Sequence, residues 1–175
     1  MTTKQTIFLL AAMLPLWLPA ADSTNRLRFP VAGFSIAALE APPGPTPHMP
    51  LTMSLPAIEE FSANVNVQIH PYEGSIEEYT ALTLKQFKDF GLKVIEQKKV
   101  GKSGVVFQYS GELKGGLRHW YARSEKVGEQ VYLVTATAAE KQWADQASQL
   151  KACVDSFRLE KGEQVAPPNA APPHR

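Results

Sequence analysis

The chain has 175 residues, 44% of them hydrophobic and 20% charged, with a formal net charge of +1 at pH 7. So even a balance supplies no global field for nucleic acid or anionic lipid, and neither is expected as a partner. The lone cysteine, Cys153, excludes an intramolecular disulfide, so stability must come from packing alone.

The first residues carry an address. Lys4 forms a short positive region and Ile7 to Leu18 an apolar run, too short for the helix of about 20 residues that spans a bilayer. Pro19, Ala20 and Ala21 precede the polar Asp22-Ser23-Thr24-Asn25, which reads as a cleavable secretory signal over residues 1–21 and a periplasmic or secreted protein. No cysteine ends the signal to carry a lipid, so no stable membrane anchor is expected after cleavage. The 18 basic residues fall to 17 once Lys4 leaves with the signal, against 17 acidic ones. About 135 residues then remain between signal and tail, the size of one domain, placed at 26–159.

Leu27, Phe29, Val31, Phe34 and Ile36 are spaced as two short strands joined by a tight turn at Gly33. Pro42-Pro43-Gly44-Pro45-Thr46-Pro47 lacks the N–H donors of a ladder and reads as surface loop. A strand is expected at Leu51 to Leu55, and another at Asn64 to His70, where Val65, Val67 and Ile69 alternate with polar residues. Ser75 and Glu78 form a capping box that starts a helix. Ile76, Tyr79, Leu82, Phe87 and Phe90 make its apolar stripe, and Gly91 supplies the left-handed cap.

From Leu92, turns at Gly101-Lys102-Ser103-Gly104, Lys114-Gly115-Gly116 and Lys126-Val127-Gly128-Glu129 divide four strands of a meander. Val131 to Ala136 is apolar on both faces, as a central strand covered on both sides would be. Thr137 and Glu140 form a second capping box, opening a helix whose Trp143, Ala147, Leu150, Val154 and Phe157 recur at spacings of four and three. Residues 162–175, rich in Pro and Ala, have no core-forming period and read as a disordered tail.

The Phe29-Pro30-Val31-Ala32-Gly33-Phe34-Ser35-Ile36 opening, the Pro-rich loop, the long helix, the meander and the closing helix after Tyr132-Leu133-Val134-Thr135-Ala136-Thr137 together resemble the PsbP/Mog1-like family. The resemblance spans Arg26 to Leu159 and implies an α+β fold: an α/β/α sandwich with helices on both faces of a central antiparallel sheet. Members of that family are mostly accessory or binding proteins, so the resemblance transfers no chemistry.

Constellations for catalysis are missing from the sequence. No Gly-x-Ser-x-Gly elbow, Walker loop or dinucleotide glycine loop is present, and Gly101-Lys102-Ser103-Gly104 has the form of a hairpin turn. Cys153 in its helical pattern reads as a small buried hydrophobe. His70 and His119 lie on expected strands without the paired spacing that places metal ligands on one face, so neither metal nor cofactor is expected.

Two stretches suit an interaction surface. Lys98, Lys99 and Lys102, beside Lys93, form a local basic cluster that could steer an acidic partner or serve only to guard an edge strand. His119, Trp120 and Tyr121 lie in an Arg- and aromatic-rich strand of the kind that supplies hot spots. Alternation places His119, Tyr121 and Arg123 on one face and Arg118, Trp120 and Ala122 on the other. The expected role is therefore a non-catalytic accessory domain binding an envelope protein through a sheet edge or the loop at Ala41 to Pro50. The alternative is a small apolar or amphipathic ligand held between sheet and helix, in a pocket lined by Phe87, Phe90 or Trp143; a hydrolase is a more distant one.

Overall fold

The computed structural model describes residues 26–39, 44–113 and 115–160. The expected signal and Pro/Ala-rich tail, and part of the Pro-rich loop, lie outside the described residues. The described residues belong to two compact units, one ending at Glu40 and the other beginning at Ala41. In the first, β1 (Arg26–Phe29) and β2 (Phe34–Ala37) pair as an antiparallel hairpin, with Leu27 opposite Ile36 and Phe29 opposite Phe34. Gly33 takes the turn's positive φ of 73°, and the rings of Phe29 and Phe34 stack at 4.8 Å.

The second unit is one six-stranded antiparallel sheet with a helix on each face. Its strands are β3 (His48–Ser54), β4 (Asn64–Pro71), β5 (Lys93–Val100), β6 (Gly104–Leu113), β7 (Gly116–Val127) and β8 (Gln130–Ala139), in the order β3-β4-β8-β7-β6-β5. Helix α1 (Ile76–Asp89) lies chiefly over β5 and β6, and α2 (Glu140–Asp155) over β7, β8 and β4. Successive strand residues point to opposite faces, so each strand serves two cores. Val65, Val106, Tyr121, Val134, Ala136 and Ala138 meet Trp143, Leu150 and Val154 of α2. Val105 and Phe107 meet Ile76 and Phe87 of α1. The expected sandwich is the observed one.

The start of α1 is as expected. Ser75 Oγ accepts from the Glu78 backbone N–H at 3.1 Å, and the Ser75 N–H donates to Glu78 Oε2 at 2.7 Å. At the other end Gly91 adopts φ 68°, and the Leu92 N–H reaches back to the Phe87 carbonyl at 2.8 Å, closing a Schellman-type cap. The apolar stripe is narrower than expected: Ile76 and Phe87 are buried, while Leu82 is 45% and Phe90 70% exposed.

Two boundaries differ from the sequence reading. The second capping box is not formed: Ala139 caps α2 without a side-chain bond, because Thr137 is held inside β8 opposite Asn64 and Trp120. The third strand begins at His48 rather than Leu51 and so takes in Pro50. An edge strand can hold a proline because one side of it needs no donor, and the register shifts between His48 and Leu51.

Replacing Ser75 by Ala should lower unfolding free energy by about 1 kcal/mol, while Phe107→Ala, at 1% exposure, should cost about 3–5 kcal/mol. Urea unfolding measures both. A Phe107 loss no larger than the cap's would mean that the α1 face is not packed as described.

Candidate functional site

The two faces are closed to different degrees. Under α2 the large Trp143, Leu150 and Val154 meet the sheet; under α1 a cavity remains, because the central strands present small side chains there. Ala122 and Ser124 of β7 and Leu133 of β8 form the floor of a cavity of about 300 Å³. Tyr79, Leu82, Thr83, Gln86 and Phe87 of α1 form its roof, Phe107 and Tyr109 of β6 one wall, and His70, Pro71 and Tyr72 the far end. A larger, more open hollow of about 470 Å³ lies among loop residues Gly44, Pro45, Tyr72, Glu73 and Glu129. We take the smaller one as the candidate site, since it lies between core elements whose side chains are fixed by packing.

The walls are mostly aromatic. Phe87 meets Phe107 edge-on at 5.4 Å and lies against Tyr109 at 4.2 Å; Tyr109 in turn stacks on Trp120 at 5.0 Å. Tyr72 and Tyr79 meet edge-to-face at 5.2 Å. Burial pushes the Tyr79 and Tyr109 phenols above their ordinary range, in Tyr79 against the opposing pull of the Ser124 hydroxyl, so both remain protonated at neutral pH. Among the described residues, no Asp, Glu, Lys or Arg lines the cavity. At its end, His70 Nε2 contacts Gln68 Oε1 at 3.0 Å, and Gln68 Nε2 donates to Asn66 Oδ1 at 3.0 Å, a polar chain along β4.

The aromatic strand expected as a recognition surface is interior instead. His119, Trp120 and Tyr121 are 4%, 7% and 9% exposed, because α2 covers one face of β7 and Tyr109 of β6 stacks over Trp120 on the other. Trp120 belongs to the α1 side through Tyr109. His119 stacks on Trp143 at 4.0 Å on the α2 side. Its Nδ1 lies 3.0 Å from Glu140 Oε2 and its Nε2 2.9 Å from Gln108 Nε2, while Gln108 Oε1 accepts from Lys151 at 2.6 Å. The donors therefore run Lys151 to Gln108 to His119 to Glu140, which suits a neutral imidazole carrying its proton on Nδ1. The Tyr121 hydroxyl donates to Asp155 at 3.0 Å; burial foremost, and then this carboxylate, push its phenol up to about 12.

The lysines are exposed but not gathered into one patch. Lys98 and Lys99 are neighbours on edge strand β5 and so face opposite sides, opposite Val106 and Val105. Lys99 is engaged with Glu77 at 2.7 Å, and Lys102 sits in the turn to β6. Of the residues expected to line a pocket, Phe87 does; Phe90 is exposed at the helix end, and Trp143 belongs to the other face. Cys153 is half-buried against the α2 core, and burial raises its thiol, which disfavours the nucleophilic thiolate. Among the described residues no three His, Cys, Asp or Glu side chains converge as a metal site would need, and no helix is long and apolar enough to cross a membrane.

These features define an α+β sandwich, a six-stranded antiparallel sheet with a helix on each face and a cavity under α1. The chain is similar to PA94 from Pseudomonas aeruginosa, a protein of unknown function, with a TM-score of 0.58 and 14% identity over 79% of this chain and 98% of that one. At that identity the likeness shows the fold. A solution structure of cyanobacterial PsbP (CyanoP) from Synechocystis sp. PCC 6803 matches with a TM-score of 0.43 and 13% identity, over 62% of this chain and 82% of that one. No protein-family model and no curated protein matches.

Burial lowers both His70 and His119 from 6.5, in His119 against the opposing pull of Glu140. The folded state thus favours the neutral rings, and the unfolded state takes up protons first as pH falls. Stability should be full above about pH 6.5 and decline as pH drops below it toward the depressed folded values. Urea midpoints at pH 7.5 and pH 5 measure this, and His119→Gln should flatten the slope. A midpoint that rises toward pH 5 would contradict the burial of these rings.

Proposed function

We propose that this is an exported accessory domain that acts by binding, and that its working site is the cavity under α1, which takes a small apolar or amphipathic molecule. The observation that carries this reading is the aromatic-walled space of about 300 Å³ left by Ala122 and Ser124 between helix and sheet. Such a volume lies at the lower end of ligand sites, about 300–1,000 Å³. Export rests on the N-terminal pattern of Lys4, the apolar run and Ala20-Ala21. Binding rather than nucleophilic catalysis is supported by the two strand histidines, whose ring nitrogens engage Gln68, Gln108 and Glu140 and no hydroxyl or thiol. A protein partner keeps the outer edge of β5 with Lys98 and Lys99 and the loop at 41–50, part of which lies outside the described residues, but its other expected anchors, His119, Trp120 and Tyr121, are interior.

Thermal denaturation of the purified protein against a panel of fatty alcohols, fatty acids and small aromatic compounds tests the reading. A ligand at ten times its Kd adds about 1.4 kcal/mol, a Tm rise of several degrees for a domain of this size. We expect at least one class to give that rise, and Ala122→Leu, which fills the floor, to lose it. No rise across the panel, or an equal rise in the variant, would overturn the proposal.

A further inference from the structure

We infer that the cavity is a site for a neutral ligand with a flat aromatic ring, whose uncharged polar group faces β4. This rests on the cavity being the working site and names what it selects.

The ring follows from the walls. Tyr72, Tyr79, Phe87, Phe107 and Tyr109 all face the space, already set edge-on or tilted to one another at 4.2 to 5.4 Å. A flat ring entering such a slot continues the edge-to-face and offset contacts that aromatic groups prefer, each worth about 0.5–1.5 kcal/mol beyond the area it buries. An alkyl chain gains the buried area but not that geometry.

Neutrality follows from the lining. A charged group taken out of water needs a partner of opposite charge, and none of the thirteen lining residues is Asp, Glu, Lys or Arg. The nearest cation on the same cross-strand row as His70 and Val131 is Lys126, whose ammonium is bonded to the Gly128 carbonyl.

Orientation follows from where the uncharged polar groups lie. Inside the cavity the Tyr79 and Ser124 hydroxyls lie at one place, between helix and floor. Beyond its end, His70, Gln68 and Asn66 run along β4 on the α1 side. Thr135 of β8 and Thr52 of β3 flank Asn66 on the same face. A polar group leaving the cavity toward β4 thus meets amides and hydroxyls.

The test uses two probes with one ring skeleton, neutral N-phenylnaphthylamine and its sulfonated counterpart anilinonaphthalenesulfonate, with decanol as a neutral aliphatic competitor. Binding to the purified full chain is read from probe emission. The neutral probe is expected to bind at least about tenfold more tightly than the anionic one, a difference of about 1.4 kcal/mol, and to resist displacement by decanol. Ala122→Leu should abolish its binding, as should Leu82→Glu, made at a roof position that is 45% exposed, so the carboxylate can reach solvent. Gln68→Lys should shift preference toward the sulfonate. Equal or tighter binding of the anionic probe, lost in the Ala122 and Leu82 variants, would overturn the neutral assignment and leave the cavity reading standing. Ready displacement by decanol would overturn the aromatic one in the same way. No shift in preference with Gln68→Lys would overturn the orientation. No binding of either probe or of decanol, or binding indifferent to the Ala122 and Leu82 variants, would remove both the inference and the reading beneath it.

Discussion

The structure depends on the two-sided pairing of β8. This strand is bonded to β4 on one side and β7 on the other, so its register sets that of the sheet's centre. Val134, Ala136 and Ala138 thereby fall to α2, and Leu133, Thr135 and Thr137 to the opposite face. A slip of one residue would exchange the two sets and place threonines under α2. Burial resists that slip: Val131, Ala136 and Ala138 are 0% exposed and have no room for another side chain.

On the α2 side this register produces closure. The small Ala136 and Ala138 let the helix approach, Trp143 stacks over His119, and Leu150 and Val154 fill the rest. The polar groups carried in with them are tied to one another through Lys151, Gln108, His119 and Glu140. The Gln142 amide donates to the carbonyls of Ile58 and Phe61 and so ties the β3–β4 connection to the same helix. Among the described residues Arg123 Nε, Gln142 Oε1 and Gln146 Oε1 stay buried without a partner, so this layer is held by the linked chain from Lys151 to Glu140 rather than by every polar atom in it.

Much of this architecture is legible in the sequence, and the failures have physical causes. The Ser75 box and the Gly91 cap were readable because both are local: a serine, a glutamate three residues on, and a glycine past the last turn act within one helix. Thr137 and Glu140 have the same spacing yet do not act, since Thr137 is committed to strand pairs and the Glu140 carboxylate to His119, partners that no window of sequence shows together. Alternation divided Trp120 from Tyr121 correctly. Whether either face was exposed depended on a helix about 20 residues later and another about 30 earlier, and both faces proved covered. The cavity was the hardest feature to foresee, because its marks are small residues, Ala122 and Ser124, in an otherwise large-residue layer, and its rings come from α1, β6 and the loop before α1.

The contrast between the two faces of β7 is the strongest reason to place function on the open one. His119, Tyr121 and Arg123 reach up to α2 with bulky side chains; one residue along in each case, Trp120 and then the small Ala122 and Ser124 point the other way. Trp120 and Tyr109 hold one end of that face at full thickness by stacking. Over Ala122 and Ser124 a space of about 300 Å³ is left beneath the helix, and its Phe87 leans on Phe107 and Tyr109. Nothing in the backbone demands the gap: a leucine on that strand would fill space that Ala122 leaves. The gap costs packing contacts that the α2 face secures, and a ligand that occupied it would restore them. Binding there would then stabilise the fold as well as hold the ligand, because the same rings form the wall of the site and the core beneath α1.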